Sequence, residues 1–169
     1  MSKSIILSNI KKLRDAVVTQ HKNIVMLKRG VAVEVSSMRT REECSFLSWF
    51  FADGKYLRSY VHGSTLDEVA ALYSQWFESY EKIYRLFYEG RKRSWFFSTN
   101  SKPKKLSEME AARLEAYVDD LTNVQQPLLR KLEILQRRVE HNTMLSDEKY
   151  SAFVKEKNGH KAVLDVLAV

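Results

Sequence analysis

Cysteine, proline and glycine are all scarce in this chain of 169 residues, which has one, two and five of them respectively. A single cysteine excludes an intramolecular disulfide. The scarcity of glycine and proline, with strong helix formers throughout, argues against many tight turns and favours an all-α fold. No run approaches the roughly 18 consecutive apolar residues that a membrane-spanning helix needs. We therefore expect a soluble protein without a transmembrane segment.

Charge and length narrow the class of protein further. The chain turns charged within its first dozen residues, so we expect no cleavable signal segment and a reducing, cytoplasmic location. Lysine and arginine outnumber the acids by 28 to 21, a net charge of +7 that favours an anionic partner such as nucleic acid or an acidic lipid surface. The length is typical of one domain with a core that needs no structural metal.

Three segments carry apolar residues at spacings of three or four, the pattern of a long helix with one buried face. The first stripe consists of Ile6, Ile10, Leu13, Val17, His21, Ile24, Leu27 and Val31. The second consists of Val69, Tyr73, Trp76, Tyr80, Ile83 and Phe87. The third consists of Leu114, Tyr117, Leu121, Val124, Leu128, Leu132, Leu135 and Val139. Pro127 lies inside the third stripe, which continues on both sides, so we expect a kink there and not a break.

Three capping boxes mark where helices should begin. In this motif a hydroxyl side chain and a glutamate three residues later each accept a hydrogen bond from the other's backbone amide. The boxes are Thr40 with Glu43, Thr65 with Glu68, and Ser107 with Glu110. The first box predicts one more helix, from about Arg41 to Gly54, with Cys44 in its first turns. Gly30 and Gly90 are natural stops for the helices before them.

Four predicted helices indicate an all-α protein, a four-helix bundle over residues 1–145. Residues 146–169 carry weaker helical patterns after the end of the last stripe. We predict that this tail forms one or two short extra C-terminal helices, which pack on the bundle or reach a partner.

His21 and Cys44 are the candidate metal ligands. His21 lies on the core stripe of the first helix, and Cys44 lies near a helix start, where backbone amides and the helix dipole favour a thiolate. A histidine and a cysteine on neighbouring helices could be two ligands of a zinc ion inside a bundle. A core histidine with satisfied hydrogen bonds, an inert buried cysteine and a redox-sensing thiol are the alternatives.

The run CSFLSW at 44–49, followed by Gly54, resembles the C-x-F-G-x-W-x-x-x-x-G signature on the second helix of the chemoreceptor zinc-binding domain family. His21 stands in a context similar to that of the histidine on the family's first helix. The resemblance covers roughly residues 10–90. It implies a cytoplasmic four-helix bundle, usually dimeric, attached to bacterial chemoreceptors and diguanylate cyclases. It also implies zinc bound by three histidines and one cysteine, of which His21 and Cys44 are matched here.

The sequence departs from this family at the other two ligands. They are histidines four residues apart on the third helix, where this chain has Trp76 and Tyr80 or, in another register, Gln75 and Ser79. Neither pair binds zinc, and Leu47 replaces a glycine of the signature. Replacement ligands near in sequence are Glu43, Asp53 and His62. We therefore expect no cofactor, with zinc as the alternative.

The segment 90–105 reads GRKRSWFFSTNSKPKK, with six basic residues and no acid around three aromatic ones. Cations contact phosphates and exposed rings stack on bases, so the segment is a candidate for binding nucleic acid or a partner. The candidate residues are Arg91, Lys92, Arg93, Trp95, Phe96, Lys102, Lys104 and Lys105. Alternatively, the rings cap the open end of the bundle or form a dimer contact, and the cations are solvated.

No catalytic motif is present. The sequence has no glycine-rich phosphate loop, no nucleophile signature and no distinctive pair of carboxylates, so we do not expect an enzyme. We predict a cytoplasmic sensory or regulatory helical bundle that acts through a protein partner or a homodimer. The alternative is a nucleic-acid-associated helical protein that uses residues 90–105.

Overall fold

The computed structural model describes residues 3–31, 33, 56–61, 63–88, 105–143, 145 and 152. Within these ranges most residues are helical and none belongs to a strand. Three long helices account for nearly all of them: α1 (Lys3–Lys28), α2 (Gly63–Tyr88) and α3 (Glu108–His141). The all-α prediction is confirmed for this part of the chain. None of these helices combines the length and the apolar character needed to cross a membrane.

Helix α1 buries the predicted apolar stripe at Ile6, Ile10, Leu13, Val17, Ile24 and Leu27. Two predicted stripe positions differ. His21 is only half-buried, and Val31 lies beyond the helix with 49% of its surface exposed. The helix stops at Gly30, as predicted, because the backbone there turns to a φ of 76°, which glycine adopts without steric cost.

Helix α2 buries all six residues of its predicted stripe. The predicted start at a Thr65 capping box is wrong, because the helix begins at Gly63 and Thr65 lies within its first turn. The Thr65 hydroxyl accepts a hydrogen bond from the Arg138 guanidinium of α3, and the Glu68 carboxylate pairs with Lys131. Both side chains of the supposed box are therefore used between helices.

Helix α3 begins at the predicted capping box. The Ser107 hydroxyl accepts from the Glu110 amide at 3.3 Å, and the Glu110 carboxylate accepts from the Ser107 amide at 2.9 Å. The helix then continues through Pro127 for 34 residues in all. Its buried residues are Leu114, Leu121, Gln125, Leu128, Leu132, Leu135 and Val139. Two predicted stripe positions, Tyr117 and Val124, are only partly buried.

Helix α1 packs antiparallel to α3. At one end the Lys28 ammonium pairs with the Glu115 carboxylate, and at the other the Lys3 ammonium donates to the Glu140 carbonyl. Lys3 also donates to the carbonyl of Asn142 at 3.2 Å. The two helices are therefore in register along the whole of α1.

Helix α2 packs antiparallel to α3 on another side of that helix. Arg138 contacts Thr65 near one end, and the Lys82 ammonium lies 5.8 Å from the centre of the Tyr117 ring near the other. Contacts between α1 and α2 are minor by comparison. Helix α3 is therefore the common neighbour of the other two helices, and the core lies where the three apolar stripes meet.

Several predicted segments lie outside the described residues. They are the helix from Arg41 to Gly54 with Cys44, the basic segment up to Lys104, and the C-terminal tail apart from Ala152. The four-helix bundle, its boundary at residue 145 and the kink at Pro127 stay predictions.

Candidate functional site

His21 lies on α1 at the edge of the buried stripe, on the side that faces α3. The imidazole Nδ1 atom is buried, and no hydrogen-bond partner for it is present among the described residues. The Gln125 side chain of α3 is within hydrogen-bonding reach of the same ring. Gln125 is itself only 8% exposed, so two polar side chains meet inside the interface between α1 and α3.

The surroundings of His21 favour its neutral form. Burial lowers the pKa of the imidazole below its ordinary value, and the hydrogen bond with Gln125 opposes this shift only in part. The cations of α1 that face α3, Arg14 and Lys28, each lie about two helical turns away along the helix. A neutral imidazole can accept a hydrogen bond or bind a metal ion, and it gains a charge when it is protonated.

The contacts between α1 and α3 show how far along the two helices His21 and Gln125 lie. Arg14 donates to the Gln136 side chain at 3.2 Å, and Lys28 pairs with Glu115. The histidine lies midway between the two basic residues of α1, and the glutamine lies midway between their partners on α3. The pair therefore occupies the middle of the α1–α3 interface.

The contacts between α2 and α3 place Trp76 at the same level. Lys131 of α3 pairs with Glu68, and Lys82 lies over the ring of Tyr117. Trp76 lies next to the midpoint between the two α2 residues of these contacts. The midpoint between their α3 partners is next to Gln125, so the indole, the glutamine and the histidine share one level.

Trp76 and Tyr80 form the α2 part of this level. Their exposed fractions are 0% and 2%, and their rings stack with centroids 5.5 Å apart at an interplanar angle of 11°. The indole Nε1 and the phenol oxygen are both buried without a hydrogen-bond partner in the described part of the chain. Burial is the main cause of a raised pKa for Tyr80, and the nearby Tyr84 and Tyr88 raise this pKa further. The hydroxyl therefore stays protonated.

We refer to His21, Gln125, Trp76 and Tyr80 as the buried polar layer. It offers donors from the indole and the phenol and a ring nitrogen that changes role with its proton. Each buried polar atom without a partner costs about 1 to 3 kcal/mol of stability. The layer therefore places unsatisfied polar atoms inside an otherwise aliphatic and aromatic core.

The described residues do not fit the four-ligand zinc site that the family resemblance implies. Trp76 and Tyr80, which the resemblance aligns with the two histidines of the family's third helix, are buried and stack on each other. In the ranges that the structure describes, no group of three or more histidine, cysteine, aspartate or glutamate side chains could hold a metal ion. His21 is the predicted ligand found there. Cys44 and the suggested replacements Glu43, Asp53 and His62 lie outside these ranges.

Gln125 is a member of the layer that the sequence did not single out. The predicted stripe of α3 used Val124, which is only partly buried, and passed over the glutamine because it is polar. A signal was present, since Gln125 stands four residues after Leu121 and three before Leu128. That spacing continues a buried helix face as well as the choice of Val124 does.

Helix α3 is locally weakened beside the layer. Pro127 has no backbone N–H, so the carbonyl of Asn123 lacks its usual partner within the helix. The Thr122 hydroxyl donates to the carbonyl of Val118 at 2.7 Å, a bond that often accompanies bending of a helix. Both features lie within three residues of Gln125.

The predicted binding segment at 90–105 is represented by one residue. Lys105 is exposed and lies two residues before the capping serine of α3. Arg91, Lys92, Arg93, Trp95, Phe96, Lys102 and Lys104 lie outside the described residues. The segment connects α2 to α3 and therefore joins the bundle at the end where Lys28 meets Glu115.

Comparisons of the chain with protein-family models, with curated proteins and with solved structures find no match.

Proposed function

We propose that the chain is a cytoplasmic regulatory domain with the architecture of a four-helix bundle. In such a bundle the last helix lies beside the first and the third, which face each other diagonally. The contacts of α3 with both α1 and α2 support this arrangement. The remaining position, next to α1 and α2, is taken in this proposal by the helix predicted from Arg41 to Gly54.

The observation that carries the proposal is the place of the buried polar layer. The contact between His21 and Gln125 lies within two residues of Pro127, in the stretch where α3 has lost a backbone hydrogen bond. A core that serves stability alone gains nothing from unpartnered polar atoms at its weakest helix segment. A core that changes its packing has a use for both features.

The proposed mechanism is a change in helix packing that begins at His21. A proton, a ligand or a partner that changes the state of this ring alters its contact with Gln125. The altered contact changes the bend of α3 near Pro127, and the moved helix surface binds or releases a protein partner or a second copy of the chain. Regulation then depends on differential binding to the two packings.

We test the mechanism by nuclear magnetic resonance of ¹⁵N-labelled protein, using the proton as the probe of the His21 state. On acidification from about pH 7.5 to about pH 4.5, the amide signals of residues 122–126 and 128–130 are expected to shift as the imidazole takes up a proton, and burial moves this change below the ordinary histidine pKa. The shift should be lost in His21→Asn and kept in the control His141→Asn, whose ring is exposed. Shifts confined to α1, or shifts that persist in His21→Asn, would contradict the mechanism.

The proposal includes no resident zinc. Trp76 and Tyr80 support this, because they fill the volume that two imidazoles would need. Elemental mass spectrometry of protein purified without added zinc should find far less than one metal ion per chain. About one zinc per chain, lost in both His21→Ala and Cys44→Ala, would instead mean a rebuilt site that includes those two residues.

Whether the partner is a second copy of the chain is tested by sedimentation of the purified chain over a range of concentrations. A dimer would identify a second copy as the partner. A monomer at every concentration would exclude the second copy and direct the search to a different protein.

A further inference from the structure

Positive charge is unevenly distributed among the three long helices. Helix α1 has six lysines and arginines and one acid, whereas α2 has two basic and four acidic residues. Helix α3 has five basic and seven acidic residues. The positive charge of the described helices is therefore concentrated on α1.

Three basic residues of α2 and α3 are compensated on their own helix. Each of Lys82, Arg85 and Arg137 pairs with a glutamate one turn earlier. Helix α1 has one acid, Asp15, which stands one turn after Lys11 and makes no ion pair with a described residue. Lys22 has no acid of α1 within one turn.

Lys11 and Lys22 of α1 and Arg29, the residue after its end, form a row along the outer side of the helix. They are exposed, and none makes an ion pair with another described residue. Their separations of eleven and seven residues are close to whole numbers of turns, so the three side chains lie on one stripe about 27 Å long. We refer to these three residues as the α1 basic stripe.

We propose that the α1 basic stripe binds the phosphate backbone of nucleic acid. An uncompensated row of cations along one helix is the electrostatic footprint of such binding. The polar residues beside the stripe include Ser8 and Thr19, both exposed, and hydroxyls donate hydrogen bonds to phosphate oxygens. This inference does not depend on the regulatory function proposed above, because His21 lies against Gln125 of α3, whereas the three cations of the stripe are exposed.

The chemistry of the same side of α1 disfavours a lipid surface or an apolar protein partner. Both of these need large apolar residues among the cations. On this side of the helix Met26 is an exposed apolar residue, and Val18 and Val25, which flank Lys22 along the stripe, are partly buried and present little apolar surface. Phosphates, which need cations and donors only, are the better match.

Fluorescence anisotropy of a labelled duplex of about 24 base pairs, titrated with full-length chain between about 50 and 200 mM salt, tests the proposal. The stripe variant is Lys11→Gln with Lys22→Gln and Arg29→Gln. The control is Lys82→Gln with Arg85→Gln and Arg137→Gln, which removes the same charge from ion-paired positions. Circular dichroism establishes that both variants keep the helix content of the wild type.

The expected result is a change in the slope of log K against log salt. Each phosphate contact contributes about 0.9 to this slope, so the stripe variant should lose up to about 2.7, and the control should keep the wild-type slope.

Absence of binding at about 50 mM salt, or equal losses in both variants, would overturn the proposal. A loss found only when Arg91, Lys92 and Arg93 are replaced by glutamine would also overturn it, in favour of the segment at 90–105. Equal binding to polyglutamate with the same dependence on the stripe would show an acidic protein as the partner and overturn the assignment to nucleic acid.

Discussion

Gln125 of α3 and His21 of α1 meet across a helix interface with polar side chains at a level where the flanking stripe residues are leucines, isoleucines and valines. The Nδ1 atom of the imidazole is buried without a hydrogen-bond partner in the described part of the chain, and the nearby Gln125 side chain opposes only part of the lowering of the His21 pKa that burial causes. A pair of this kind costs stability compared with an apolar pair of similar size. The effect of this pair on stability can be measured by changing the protonation of the His21 ring or by replacing the residues around it.

Stability should depend on pH through His21. Because burial lowers the pKa of the folded imidazole below 6.5, the unfolded chain binds the proton more readily. The free energy of unfolding should therefore be at its full value above about pH 7 and decline as the pH falls through the unfolded pKa toward the lower folded one. Urea denaturation at about pH 7.5 and about pH 5.5 measures the difference.

One variant separates His21 from other titrating groups. His21→Leu should reduce the difference between the two pH values, because leucine binds no proton. An equal difference in the wild type and His21→Leu would show that another group causes the dependence.

The hydroxyl of Tyr80 should contribute nothing favourable to stability. It is buried without a hydrogen-bond partner among the described residues, so Tyr80→Phe removes an unsatisfied polar group and keeps the ring. We expect a free energy of unfolding that is unchanged or higher by about 1 kcal/mol. Tyr80→Ala, which also removes the stacking on Trp76, should cost about 3 to 5 kcal/mol. A loss of more than about 1 kcal/mol in Tyr80→Phe would mean that the hydroxyl has a partner outside the described ranges.

The bond between Thr65 and Arg138 should couple α2 to α3. A double-mutant cycle with Thr65→Val and Arg138→Met should give an interaction energy of about 1 to 2 kcal/mol, because the hydroxyl accepts from a charged donor in a partly buried place. An interaction energy near zero, combined with a large effect of Thr65→Val alone, would return Thr65 to the capping role that the sequence predicts.

The capping box at the start of α3 should be worth a measurable amount of stability. Ser107→Ala removes the acceptor of the Glu110 amide and should lower the free energy of unfolding by about 1 kcal/mol. Ser8→Ala, at an exposed interior position of α1, provides the control and should be neutral or slightly stabilising, because alanine is the better helix former.

The sequence predicted those parts of the fold that depend on local chemistry. The stripe of α2 was complete, and the box at Ser107 was right, because spacing and hydroxyl placement determine them. The box at Thr65 failed although its residue types are the same. Its outcome depended on Arg138, which is distant in sequence and close only after folding.

The candidate site was predictable in part for the same reason. His21 was found because a histidine on an apolar stripe is conspicuous, and Trp76 with Tyr80 were expected to fill the core. Gln125 was missed because its burial depends on facing an imidazole from another helix. The four residues lie at the same height along the bundle axis because of the register between helices. The residue spacing within one helix does not determine that register.

Pro127 should weaken α3 and permit the proposed response. Pro127→Ala restores a backbone donor for the carbonyl of Asn123, and the position is exposed, so the added bond should not disturb the core. We expect the free energy of unfolding to rise by about 1 to 3 kcal/mol. The acid-induced shifts of the amides at 122–126 and 128–130 should shrink in the same variant, although His21 still titrates. A stabilised protein with undiminished shifts would separate the two effects and show that the helix segment at Pro127 does not transmit the change at His21. A destabilised protein would show instead that the core packing of α3 requires the proline geometry.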